Sequence, residues 1–229
     1  MLLAIDTSTR YAGVALADEE RVVSCRVWYS NMNHTMELMP QIAESLEAQD
    51  IDVASLEGVA VALGPGGFSA LRVGMSVAKG LAMTGRTKIV GVGTLDLEAF
   101  PFLDSGLPVC ALLEAGRNEL ASAHFAPVGE RTKEDIICPL EEILETITEP
   151  LLICGEGVHG RTQQIKEMLG HLAVVVQPSP AARLWSLVAI ARQRLESGQA
   201  DDLVDLQPYY LRMPSIGGPK IRDRKVQNA

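Results

Sequence analysis

Val59-Ala60-Val61-Ala62-Leu63-Gly64-Pro65-Gly66-Gly67-Phe68-Ser69-Ala70-Leu71 reads as a strand, a break and the start of a helix. The apolar residues 59–63 run on without alternation, which marks a strand covered on both faces. Gly64 to Gly67 interrupts it, and a helix is expected from Ser69 to about Thr84. Lys88 to Val92 is a second apolar strand. Strand, helix and strand in this order imply parallel strands joined by a right-handed crossover, the unit of an α/β protein.

Reading back toward Met1, Leu2 to Ile5 and Tyr11 to Leu16 form a hairpin around the turn-rich Asp6-Thr7-Ser8-Thr9-Arg10, and Arg21 to Tyr29 supplies a third strand. A helix follows from about Thr35 to Gln49. Leu38, Ile42 and Leu46 give it one apolar stripe, and Met32, Met36, Met39 and Ala43 line up a second. Two stripes exceed what a helix lying on one sheet requires. Residues 1–101 are therefore expected to form one lobe.

Past Pro101 a similar rhythm recurs without a residue-level repeat. Strands are expected at 108–113, 119–125, 151–154 and 173–176, with helices at 140–147, 162–169 and 181–195. Residues 102–213 make a smaller second lobe. The last stretch, 214–229, reads as a flexible tail. Its Lys220, Arg222, Arg224 and Lys225 leave a weak RNA-touching arm as the lesser reading.

The bulk numbers exclude whole classes. A formal charge of −9 is a poor start for gripping a nucleic-acid backbone unaided, so any RNA must be held mainly by a more basic partner. Cys25, Cys110, Cys138 and Cys154 show no metal-ligand spacing and are expected to be buried reduced thiols. Met1 to Asp6 lacks a basic leader, and no run approaches the ~18 apolar residues of a membrane span, so a cytoplasmic protein is expected.

Few residues carry chemistry. Asp6, Thr7 and Ser8 could hold a magnesium ion and a phosphate in the turn between two strands. An Asx-type turn, in which Asp6 and Ser8 satisfy their own backbone, is the preferred reading. Gly64-Pro65-Gly66-Gly67 precedes a helix N-terminus but matches neither a Walker loop nor the dinucleotide spacing, which favours a sharp turn before a closely packed helix. His34, His124, His159 and His171 form no helical metal pair, and no nucleophile elbow is present. No metal site and no catalytic residue are expected.

The helix from Ser69 to Thr84 is rich in small residues, with Ala70, Gly74, Ser76, Ala78, Gly80 and Ala82. Each interior glycine costs about 1 kcal/mol relative to alanine, so close approach by another element should offset it. Together with the methionine stripe this points to a helix–helix interface with a partner. The residues assigned to it are Met32, Met36, Met39, Leu71, Arg72, Met75 and Lys79.

Three ordered segments resemble the signature of the TsaB (YeaZ) family: Leu3-Ala4-Ile5-Asp6-Thr7-Ser8-Thr9, Asn33-His34-Thr35-Met36-Glu37-Leu38-Met39-Pro40, and Gly64 to Gly74. Pro208-Tyr209-Tyr210-Leu211-Arg212 matches its C-terminal motif, and Leu113 to Glu119 looks like a degraded Asp-Ala-Arg-x-Gly-Glu segment. The resemblance covers residues 1 to about 213. It implies the ASKHA fold of actin and sugar kinases, two lobes of mixed sheet flanked by helices. It also implies a role in making threonylcarbamoyladenosine beside the anticodon of tRNA. In that system the chain would bind the catalytic subunit TsaD, the ATPase TsaE would dock on the pair, and tRNA would be met only indirectly.

Departures from the pattern sharpen the expectation. Laid on TsaD from Gly64, the chain has Thr94 and Glu98 where that subunit carries a His-x-x-x-His metal site. Gly155-Glu156-Gly157-Val158 is only a faint echo of the nucleotide-binding glycine turn. A non-catalytic subunit without resident cofactor is expected, with weak nucleotide or magnesium binding confined to the complex and a homodimer when isolated. A glycoprotease-like peptidase and a stand-alone ATPase or kinase are the alternatives.

Overall fold

Alternation of short apolar strands with amphipathic helices produces two sheets of the same design. The computed structural model describes residues 1–83 and 87–212. The first half contains β1 (Leu2–Asp6), β2 (Tyr11–Ala17), β3 (Val22–Tyr29), α1 (His34–Glu47), β4 (Gly58–Gly64), α2 (Phe68–Ala82), β5 (Lys88–Gly93) and α3 (Thr94–Ala99). The second contains β6 (Val109–Gly116), β7 (Glu119–Phe125), β8 (Ile136–Cys138), α4 (Leu140–Glu145), β9 (Leu151–Cys154), α5 (Thr162–Leu169), β10 (Ala173–Val175) and α6 (Ala182–Glu196).

The sheet orders are β3-β2-β1-β4-β5 and β8-β7-β6-β9-β10, one pattern used twice. In each, the first three strands are antiparallel neighbours and the fourth and fifth add in parallel. Short turns can join only the antiparallel pairs; the parallel ones need helical crossovers, which α1, α2, α4 and α5 supply.

Each sheet is covered on both faces. Leu38, Ile42 and Leu46 of α1 and Met75, Ala78 and Ala82 of α2 pack on Leu3, Ile5, Val14, Leu16, Val59 and Val61. The opposite face, with Leu2, Ala4, Ala60, Ala62 and Val90, is covered by Leu184, Leu187, Val188 and Ala191 of α6. The second sheet mirrors this: α4 and α5 cover one face, and Leu95 and Ala99 of α3 reach the other. The helix that closes each half thus crosses to the other half's sheet.

That crossing corrects the division at residue 101. α6 lies within 102–213 by sequence but completes the core of the first sheet. Periodicity shows that a helix has an apolar face, not which sheet the face meets. Two elements also escape the sequence reading. α3 is six residues long with Asp96 and Glu98 inside its apolar run, and β8 is three residues long. Cys25 lies exposed on the edge strand β3, so the expectation of buried thiols holds for Cys110 and Cys154 but not for it. The expected tail, 214–229, lies outside the described residues. No helix among them is long and apolar enough to cross a membrane.

Cys110 and His124 are cross-strand neighbours on β6 and β7, with Sγ and Nε2 3.8 Å apart. Burial, helped by Lys133, pushes the His124 pKa down to about 4. The unfolded chain takes up that proton near pH 6.5, so between these values the unfolded state binds more protons and stability falls as pH drops. With the ring's partial exposure discounted, about 2 kcal/mol should be lost between pH 7 and pH 4.5. Urea unfolding at both pH values checks this, because His124→Phe should remove that part of the loss; an unchanged pH dependence in the variant refutes the assignment.

Candidate functional site

The loop after β1 sits where the C-terminal ends of β1 and β4 meet, the usual place for a ligand in an open α/β sheet. Here its polar groups are engaged within the chain. Asp6 Oδ1 accepts hydrogen bonds from the Ser8 amide at 2.9 Å and the Ser8 hydroxyl at 2.6 Å. This is the Asx-type turn of the preferred reading. The Ser8 carbonyl accepts from Gly67 N–H at 3.0 Å. A Cβ on Gly66 would lie 2.2 Å from that carbonyl oxygen, so the Gly-Pro-Gly-Gly turn is packed down onto the loop. Thr7 Oγ1 donates to the Ala70 carbonyl at 2.7 Å, and a Cβ on Gly74 would stand 2.3 Å from the same hydroxyl. Gly74 therefore finds its close neighbour inside the chain, whereas Gly80 faces open space.

The centre of the crevice between the lobes is filled by Arg183, in the first turn of α6 and 1% exposed. Its Nε donates to Asp6 Oδ2 at 2.6 Å. One terminal nitrogen donates to Glu98 Oε1 at 2.9 Å and Glu156 Oε2 at 2.8 Å. The other donates to Thr9 Oγ1 and to the Tyr11 carbonyl, both at 2.9 Å. All five guanidinium N–H groups are satisfied, the condition under which a buried arginine is tolerated. Burial alone would lower its pKa, but Asp6, Glu98 and Glu156 outweigh that and hold it above the usual arginine value. The Glu98 pKa is raised as well, but here burial is the cause and Arg183 pulls against it.

This arrangement bears on the positions singled out by the resemblance. Thr94 and Glu98 lie on α3, and Glu98 Oε1 is shared by Arg183 and the Glu156 amide. The Thr94 hydroxyl is buried without a hydrogen-bond partner. Gly155 and Gly157 are glycines because β6 passes beside them: added Cβ atoms would come 2.3 Å and 2.9 Å from Leu112 backbone atoms. Glu114, in the degraded motif, pairs with Arg161. A magnesium–phosphate group does not fit these residues, since Asp6 and Glu98 are already bound to a guanidinium. Among the described residues no three His, Cys, Asp or Glu side chains are grouped to hold a metal ion.

The expected partner residues separate into three groups. Met32 and Met36 are each 78% exposed and Met39 46%. Leu71 and Met75 are corrected: at 1% and 5% exposure they belong to the chain's own core, because this side of α2 lies on β4. Arg72 is exposed and Lys79 half-buried, and both are also used within the chain. Arg72 Nε donates to the Tyr210 hydroxyl and lies over the Phe68 ring, and Lys79 Nζ donates to the Val204 carbonyl. Both hold the segment after α6, which returns along α2 and β5 and spans the lobes. Tyr209 N–H donates to Leu63, and Arg212 pairs with Glu119.

Arg183 escaped the sequence reading entirely. Its signal was an arginine on the apolar phase of a helix, four residues before Leu187 and eight before Ala191. Glu156, between two tightly packed glycines, was a second trace.

With the geometry in hand, the chain can be placed among known proteins. A family model described as TsaD, tRNA N6-adenosine threonylcarbamoyltransferase, matches residues 29–160. The Bacillus subtilis tRNA threonylcarbamoyladenosine biosynthesis protein TsaB is 27% identical across 98% of this chain and 99% of its own length. The Escherichia coli protein of the same name is 31% identical over 41% of this chain and 40% of its own length. Among solved structures, YeaZ from Pseudomonas aeruginosa superposes with a TM-score of 0.72 at 23% identity, covering 92% of this chain and 99% of that one. That likeness and the duplicated sheet order show the two-lobed actin-like fold.

Proposed function

The chain belongs to the TsaD–TsaB family of tRNA threonylcarbamoyladenosine proteins, on its TsaB (YeaZ) side, and we propose that it is the non-catalytic partner subunit of a threonylcarbamoyl-transfer complex. The observation that carries this is the Arg183 guanidinium. It is bonded to Asp6, Glu98 and Glu156 in the crevice where the fold would otherwise lay phosphates and a cation. A crevice filled by the chain's own side chain also speaks against a stand-alone ATPase or kinase. The exposed methionines of α1 are a docking face for a TsaD-type subunit, since an adaptable apolar surface of this kind suits a protein partner.

In this reading TsaE docks on the assembled pair, tRNA is held mainly by the partner, and the isolated chain pairs with itself through the same face. The chain works in the cytoplasm without a resident cofactor. Reconstitution tests the proposal: TsaD, TsaE, ATP, substrate tRNA and the threonylcarbamoyl precursors are combined with and without this chain. Modification should require the chain, which should neither modify tRNA nor hydrolyse ATP by itself. Equal modification in its absence, or turnover by the chain alone, would overturn the assignment.

A further inference from the structure

α3 and α6 close the two halves of the duplicated pattern, and each reaches across to the other sheet. Arg183 on α6 joins everything that meets at this crossing. On the first sheet it holds Asp6 at the end of β1, Thr9 in the turn and Tyr11 on β2. On α3 it holds Glu98, and in the turn following β9 of the second sheet it holds Glu156. No other side chain described here bonds to both halves in this way through a buried charge.

The charges are unequal, with three carboxylates facing one guanidinium. Remove the cation and like charges are left together in a space that water barely reaches, which strongly disfavours the closed arrangement. Two-lobed folds of this kind commonly change the angle between lobes when a ligand enters or leaves the crevice. We propose that Arg183 is an internal cation that takes the ligand's place and sets the angle between the lobes, so that the chain keeps one lobe arrangement with no ligand bound. The consequence for function is a surface of constant shape, independent of nucleotide.

The test uses the full-length chain and needs no partner. Arg183→Ala should lower the melting temperature by about 10 °C. Amide exchange should quicken tenfold or more in residues 6–11 and 154–158, while the β6–β7 hairpin keeps its protection. Guanidinium at about 10 mM should recover a measurable part of the loss in the variant and none in the parent, by mass action on the emptied site. Ethylammonium and magnesium at equal ionic strength should not.

Destabilisation without rescue by guanidinium would mean that Arg183 only fills space, and would overturn the proposal. Wild-type stability and exchange in Arg183→Met, whose apolar side chain has similar reach, would overturn it too. If Arg183→Ala does not fold, Glu156→Gln decides. It keeps an acceptor and removes the charge that crosses the lobes, so faster exchange confined to 154–158 and 6–11 is expected; unchanged exchange there refutes the role.

Discussion

Replacing Met36 and Met39 together by glutamate lowers affinity for a TsaD-type partner at least 100-fold and leaves the melting temperature of the isolated chain within a degree or two of its parent. Both residues point away from the chain's own core, at 78% and 46% exposure. Glutamate forms helix as readily as methionine, so α1 has no reason to unwind. In a complex, each methionine would bury a side chain worth about 1.5–3 kcal/mol, and a carboxylate in its place adds a desolvation cost. Losing about 3–5 kcal/mol corresponds to about 10² to 4 × 10³ in affinity. Titration calorimetry with a purified TsaD subunit measures it. An unchanged dissociation constant would move the interface away from α1.

The opposite outcome is expected one helix later. Leu71→Asp or Met75→Asp prevents folding rather than blocking a partner. Both side chains are almost fully buried, and Met75 packs in the cluster that includes Leu3, Ile5, Leu38 and Ile42. A carboxylate there finds no partner and costs about 5 kcal/mol or more, a large part of an ordinary domain's total stability of about 5–15 kcal/mol. The milder Leu71→Ala should cost about 3 kcal/mol through the cavity it leaves. Circular dichroism and urea titration separate the two helices. A Met75→Asp chain that is folded and normally stable would return Met75 to the list of partner contacts. Loss of co-elution alone could not tell these cases apart, since an unfolded chain also fails to bind.

The contrast shows how far patterns along the chain reach. The sequence assigned Leu71, Arg72, Met75 and Lys79 together to a partner interface, whereas in the structure Leu71 and Met75 lie on one, buried side of α2 and Arg72 and Lys79 on another. Spacing did not say that the first side meets the chain's own β4, or that Arg72 and Lys79 are used by the returning segment at Tyr210 and Val204. The methionines of α1 were legible because two apolar stripes exceed one sheet's need, and the structure leaves one of them outside. Gly66 and Gly74 were legible as close-packed glycines, but their neighbours Ser8 and Thr7 were not, since those contacts join distant stretches.

Strand and helix order follows from the sequence by itself, because continuous apolar runs and stripes of period 3.6 are properties of neighbouring residues. So does the Asx turn at Asp6, whose bonds span two residues. The centre of the crevice was decided only in three dimensions. Arg183 lies 177 residues from Asp6 and 85 from Glu98, and these charges meet because α6 crosses back onto the first sheet while α3 reaches toward the second. A buried cation must find its carboxylates wherever packing brings them, and local spacing carries no trace of a bond between such distant residues.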